Sequence, residues 1–149
     1  MGTTSVRHIL EAGLVAFLQA EPTLAGVNIY PGDSTELAVH PKVVVTCESA
    51  RTPALFPDGL GNYDCQIRVV ISDNANDTTL ATHRAHEASV LATLADEAGI
   101  KAAFAAADPV EAYIYMVNPG EPQQGLDPDG NYWNSVTTLM VRCVINPAT

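Results

Sequence analysis

The chain has 149 residues, 47% of them hydrophobic and 16% charged, a balance that fits one folded domain and excludes a disordered segment. Its formal charge is −10, from 17 acidic and 7 basic residues, which disfavours grip on a phosphate backbone, since that requires clustered Lys and Arg. No apolar run reaches the ~18–20 residues that cross a bilayer, and the opening segment is amphipathic, unlike a signal peptide.

Val6, Ile9, Leu10, Gly13, Leu14, Phe17 and Leu18 recur at helical spacing, predicting an amphipathic helix over residues 5–20. Glu21-Pro22 ends it, because the residue before a proline is pushed out of the helical region. Gly26 to Gly32 reads as a short strand closed by a Pro-Gly turn. After a polar connection ending at His40-Pro41, Lys42 to Glu48 is a β-branched strand with Val43, Val45 and Cys47 on one face and Val44 and Thr46 on the other.

Ser49 to Asn62 follows as a long irregular arm carrying Leu55, Phe56 and Leu60 without any period. From Tyr63 to Ile71 the odd positions are apolar, while Asp64, Gln66 and Arg68 are polar, the pattern of a strand with one dry face. Beyond the polar turn 72–77, with Asn76 or Asp77 as cap, a helix is expected to lie on the sheet through Ala81, Ala85, Ala88, Leu91, Ala92 and Ala95. Gly99 interrupts that pattern, and Ile100 to Ala107 reads as one more short helical turn. Val110 to Val117 is a strand, Asn118 to Asn131 a second long excursion containing Leu126, and Tyr132 to Ile145 a final strand. In that last strand Trp133, Leu139, Val141, Cys143 and Ile145 share a face, and its length suggests that it projects beyond the sheet together with its partner. The expected fold is therefore α+β, a single domain over 1–149: a mostly antiparallel (mixed) four- to five-stranded sheet, two main helices packed on one face, and two long hairpin arms.

Cys47, Cys65 and Cys143 are odd in number, widely spaced and on apolar strand parity, so they read as buried free thiols in preference to a disulfide or metal site. His83 and His86 stand three apart with Glu87 after them, which is not the His-Glu-x-x-His order of a zincin; a solvated or inter-subunit helix face is the expected reading. Asp127-Pro128-Asp129-Gly130-Asn131 lacks the glycine and glutamate positions of a calcium loop and reads as a hairpin turn. No nucleophile elbow or glycine-rich phosphate loop occurs, so no catalytic, cofactor-binding or metal residue is assigned and no enzymatic activity is expected.

The layout resembles the tail terminator, or tail completion, proteins of long-tailed bacteriophages. The likeness spans nearly the whole chain: an opening helix ending in Phe17-Leu18-Gln19-Ala20-Glu21-Pro22, then Gly26-Val27-Asn28-Ile29-Tyr30-Pro31-Gly32, a hairpin, and an alternating strand running through Ser72-Asp73-Asn74-Ala75-Asn76-Asp77 into an Ala- and Leu-rich helix before a final hairpin. The resemblance implies a virion subunit, assembled in the host bacterial cytoplasm, forming a ring, typically a hexamer, at the head-proximal end of the tail tube. Such a ring ends tube growth and joins the tail to the neck, with the tail tube protein and a neck or head-completion protein as partners and DNA passing through the bore. The Asn118–Asn131 excursion departs from that layout and keeps a neck or head-completion role open, beside a small intracellular α+β enzyme or ligand-binding domain. The expected partner contacts are Leu55, Phe56, Leu60, Leu126 and Trp133.

Overall fold

The alternating segment from Asn62 to Asn74 becomes the centre of a mixed sheet in the computed structural model. The structure describes residues 6–32, 39–51, 62–76, 78–107, 112–119, 123–126 and 132–145. The elements are α1 (Val6–Gln19), β1 (Asn28–Pro31), β2 (Lys42–Arg51), β3 (Asn62–Asn74), α2 (Leu80–Leu94), α3 (Glu97–Ala107), β4 (Ala112–Pro119), β5 (Gln123–Leu126) and β6 (Tyr132–Ile145). A single 3₁₀ turn, Pro22–Leu24, follows α1. The strand order is β1-β2-β3-β6-β4, with β5 also paired to β6. β1 joins β2 in parallel at the edge; the other pairings are antiparallel. The architecture is a single α+β domain, as expected.

β3 and β6 pair along their whole lengths, from Asn62 opposite Val144 to Asn74 opposite Tyr132. The final strand keeps its partner from end to end, and the pair projects little, since β2 flanks β3 from Asp64 to Ser72. Its outer edge is shared in tandem, with β4 opposite Leu139–Ile145 and β5 opposite Trp133–Val136. β5 lies inside the excursion that the sequence reading left without structure.

Parity decides the faces. Val43, Val45, Ile67, Val69, Leu139 and Val141 are buried beneath the helices, while Glu48, Gln66, Arg68 and Met140 on the alternate positions are exposed. Cys47 and Cys65 are buried free thiols on the covered side; Cys143 lies opposite Tyr63 in register, and its side chain is outside the described residues. α1 packs on β1 and β2 through Leu10, Leu14 and Leu18 and runs against α3, where Ile100 and Phe104 complete the core. Between Cys47 and Ser49 the β2–β3 register shifts, and the Glu11 carboxylate of α1 accepts the Cys47 backbone N–H at 2.7 Å.

Three helical expectations need correction. The Ile100–Ala107 turn is the second half of an eleven-residue helix, so three helices stand where two main ones were expected. Its start is set by Asp96, whose carboxylate accepts the Gly99 N–H at 3.1 Å; Gly99 lies inside the helix. The cap of α2 is Thr79, whose hydroxyl accepts the Thr82 N–H at 3.2 Å, instead of Asn76 or Asp77. Finally, α2 is turned the other way. Ala81, Ala85, Ala88, Ala92 and Ala95 are exposed and Leu91 is half-buried, while His83, Val90, Thr93 and Leu94 face inward. Two large apolar side chains and a polar set bury more favourably on that side than methyl groups do on the other.

α1 and α3 approach closely because Gly13 has no side chain. A Cβ there would stand 2.8 Å from the Phe104 ring and 3.2 Å from its Cα. Gly13→Val is expected to destabilise the fold by about 1–3 kcal/mol through overpacking. Gly26→Val, where a Cβ meets nothing within 4 Å, serves as control and is expected to stay within about 0.5 kcal/mol in urea unfolding.

Candidate functional site

Three of the chain's four histidines gather at one end of β3. Asp73 occupies the covered parity of that strand and is wholly buried. One of its carboxylate oxygens accepts from His83 Nδ1 at 2.5 Å, the other from His86 Nδ1 at 2.8 Å. His83 Nε2 lies 2.7 Å from the hydroxyl of Ser135, which in turn donates to Glu87 Oε2 at 2.5 Å. Each ring nitrogen of His83 thus has a partner, Asp73 on one side and the Ser135 hydroxyl on the other. A carboxylate taken from water is costly unless paired and hydrogen-bonded, and here both oxygens of Asp73 are engaged.

Asp73, His83 and Ser135 line up as an acid, an imidazole and a hydroxyl do in nucleophilic catalysis. Two features set this arrangement apart. Ser135 and His83 have no solvent exposure, and the Glu87 carboxylate sits on the serine oxygen, placing negative charge where an acyl transfer needs oxyanion donors. In this geometry the network fastens α2 to the ends of β3 and β6. Among the described residues no group of three or more His, Cys, Asp or Glu side chains is arranged to hold a metal ion. The histidine pair is thus not a solvated helix face: His83 is interior, and only His86 reaches partly to the surface.

On the opposite, uncovered face the sheet floors a shallow groove of about 490 Å³ lined by residues that include Lys42, Thr46, Arg68, Ser72, Tyr132 and Asn134. His40 bonds Ser72 Oγ at 3.1 Å and stacks on Tyr132, with ring centroids 4.7 Å apart and planes 14° from parallel. Burial, then the nearby Lys42 charge, hold His40 below the ordinary histidine value, against a smaller opposite pull from Asp73. Arg68 stands 3.6 Å from Glu48, and Arg142 bonds Asp64 at 2.7 Å, which raises the guanidinium further above its usual range.

Of the five expected partner contacts, Leu55, Phe56 and Leu60 lie outside the described residues. Leu126 falls in β5 directly opposite Trp133 in register, so the fold brings these two positions together at the sheet edge. Trp133 is half-buried, and its indole N–H is enclosed without a hydrogen-bond partner among the described residues. The sequence reading missed Asp73 and Ser135, although both sit on the buried parity of their strands. A polar residue at an apolar position was the available signal. No protein-family model matches this sequence, and no curated protein matches it.

Asp73→Ala is expected to destabilise the fold by about 3 kcal/mol, because it strands the His83 and His86 ring nitrogens that it bonds in a buried site; thermal unfolding followed by circular dichroism checks this. His40 supplies a pH dependence of opposite origin. Its charged form is disfavoured in the fold, so it contributes nothing above the unfolded value of 6.5 and costs stability as pH falls below it towards the lowered folded value. Melting temperature between pH 7 and 5 should fall less steeply for His40→Gln than for the parent.

Proposed function

We propose that the chain is a non-catalytic structural subunit of a phage tail, a terminator that closes the head-proximal end of the tail tube as a homo-oligomeric ring, a hexamer in the resemblance noted above. The observation that supports the reading most is the one-sided dressing of the sheet. The three helices described cover one face, and the other presents the half-buried Val70 and Val136 with the exposed Met140 among charged and hydroxyl side chains. A sheet built this way offers a broad, stiff surface on strands, suited to contact with another folded protein.

In this reading the segments Ser49–Asn62 and Asn118–Asn131 are the two arms of the ring. Pro53 and Pro57 stiffen the first, which lowers the entropy lost on docking, and Leu55, Phe56 and Leu60 supply its apolar contact. Leu126 and Trp133 form the second contact, at the β5–β6 edge. The tail tube protein meets one side of the ring and a neck or head-completion protein the other. An acidic chain suits a bore through which DNA passes without sticking. A neck or head-completion subunit is the neighbouring assignment, since it uses the same kind of assembly.

Leu55→Asp combined with Phe56→Asp is expected to abolish assembly in light scattering while leaving circular dichroism and solubility unchanged. Unfolding of the variant monomer would place this arm in the core of its own domain and overturn its role as a contact.

A further inference from the structure

Lys42, Arg68 and Arg142 stand on the open parity of β2, β3 and β6, and two of them are neutralised. Arg68 is 3.6 Å from Glu48, and Arg142 bonds Asp64 at 2.7 Å. Lys42 has no ion pair among the described residues. It lines the groove on the uncovered side of the sheet, so its charge is met there by no carboxylate of its own.

The register shows what surrounds that charge. Lys42 lies opposite Ser72, and Ser72 opposite Asn134, so the three form one row of hydrogen-bond donors across β2, β3 and β6. His40 joins the row through Ser72, with Nε2 3.1 Å from the serine Oγ, and its ring is held by the stack on Tyr132. The next row on the same face, ~7 Å along the strands, is apolar: Val44 opposite Val70. The groove thus has a cation and donors at one end and an apolar floor beside them. Its volume of about 490 Å³ falls within the roughly 300–1,000 Å³ of small-molecule sites.

We propose that this groove binds a small organic anion, its oxyanion group on Lys42, Ser72 and Asn134 and its apolar body on Val44 and Val70. Charge complementarity selects the anion, since Lys42 offers a full charge that the described residues leave unmatched. Binding does not depend on assembly into a ring. His40 reports on it. Among the described residues, the titratable groups that face this ring are Lys42 of β2, Asp73 of β3 and Tyr132 of β6. Burial first and then the Lys42 charge disfavour its protonation, against a smaller opposite pull from Asp73. An anion seated beside Lys42 offsets that charge and so favours the protonated ring. A protonated His40 donates Nε2–H to Ser72 Oγ, which leaves the serine proton free for the anion. Anion binding is therefore coupled to proton uptake, and affinity rises as pH falls.

The experiment titrates the full chain with benzenesulfonate, whose charge is constant across the titration range of histidine, and follows the His40 ring by NMR, its signals identified with His40→Gln. The ring signals are expected to shift saturably, with affinity at least about threefold higher below the ordinary histidine value than above it. Lys42→Gln should weaken binding at least about tenfold, and His40→Gln should bind without the pH dependence. Arg142→Gln, a basic position outside the groove, should bind like the parent; melting curves confirm that each variant folds. Benzenesulfonamide, neutral and of the same shape, should bind far more weakly, and inorganic sulfate, which lacks the apolar body, should do so as well. Binding unchanged in Lys42→Gln, or no saturable shift at all, would overturn the inference and leave the ring reading standing. Equal affinity for the sulfonamide would overturn it in favour of a merely apolar surface, and equal affinity for sulfate in favour of an inorganic-anion site.

Discussion

The pairing of β3 with β6 is the constraint on which the rest of the fold depends. Both strands run well beyond the ~5–6 residues of an ordinary strand, and they stay in register from end to end. That single register sets Cys65 beside Val141 and Ile67 beside Leu139 on the dry side, and Gln66 beside Met140 and Arg68 beside Thr138 on the other. A slip of one residue would exchange the faces and expose the core, so the apolar pattern itself enforces the alignment. The length of β6 also explains why two short strands, β4 and β5, can share its outer edge in succession.

The same register carries the polar cluster. Ile71 lies opposite Ser135 and Asp73 opposite Trp133, which brings the carboxylate of one strand and the hydroxyl of the other within reach of one imidazole. His83 can span them because α2 begins a few residues after β3 ends, at the Thr79 cap. Only two large apolar side chains of α2, Val90 and Leu94, are buried, fewer than α1 contributes. The helix therefore depends on Asp73, Ser135 and Glu87 for its seat. Stability in this corner rests on hydrogen bonds made in low dielectric, which are strong when complete and costly when broken.

Strand alternation was the most legible part of the sequence. The inward sets of β2 and β3 and the bounds of β6 follow from a period of two, because each strand has one dry face. The helical face of α2 was not legible by counting small residues. Alanine is a good helix former that needs no burial, so its periodicity marks neither side. His83, Val90 and Leu94 share the opposite stripe, and a histidine in that stripe is informative only once Asp73 is recognised on buried parity. Gly99 was read as a break because glycine lowers helix propensity; the Asp96 cap three residues earlier outweighs it. β5 carries Gln123, Gln124 and Gly125, residues with little strand preference, and forms because β6 offers it an edge.

One side of this sheet is closed by helices, and the other is open, mixed in chemistry and, by register, carries Lys42, Arg68 and Arg142 against Glu48 and Asp64. An isologous contact would set that basic face against itself, a like-charge arrangement that costs energy wherever the charges are desolvated. A heterologous contact sets it against a different surface of the next copy and avoids that repulsion, and in the assembly proposed above it is also the geometry that generates rings.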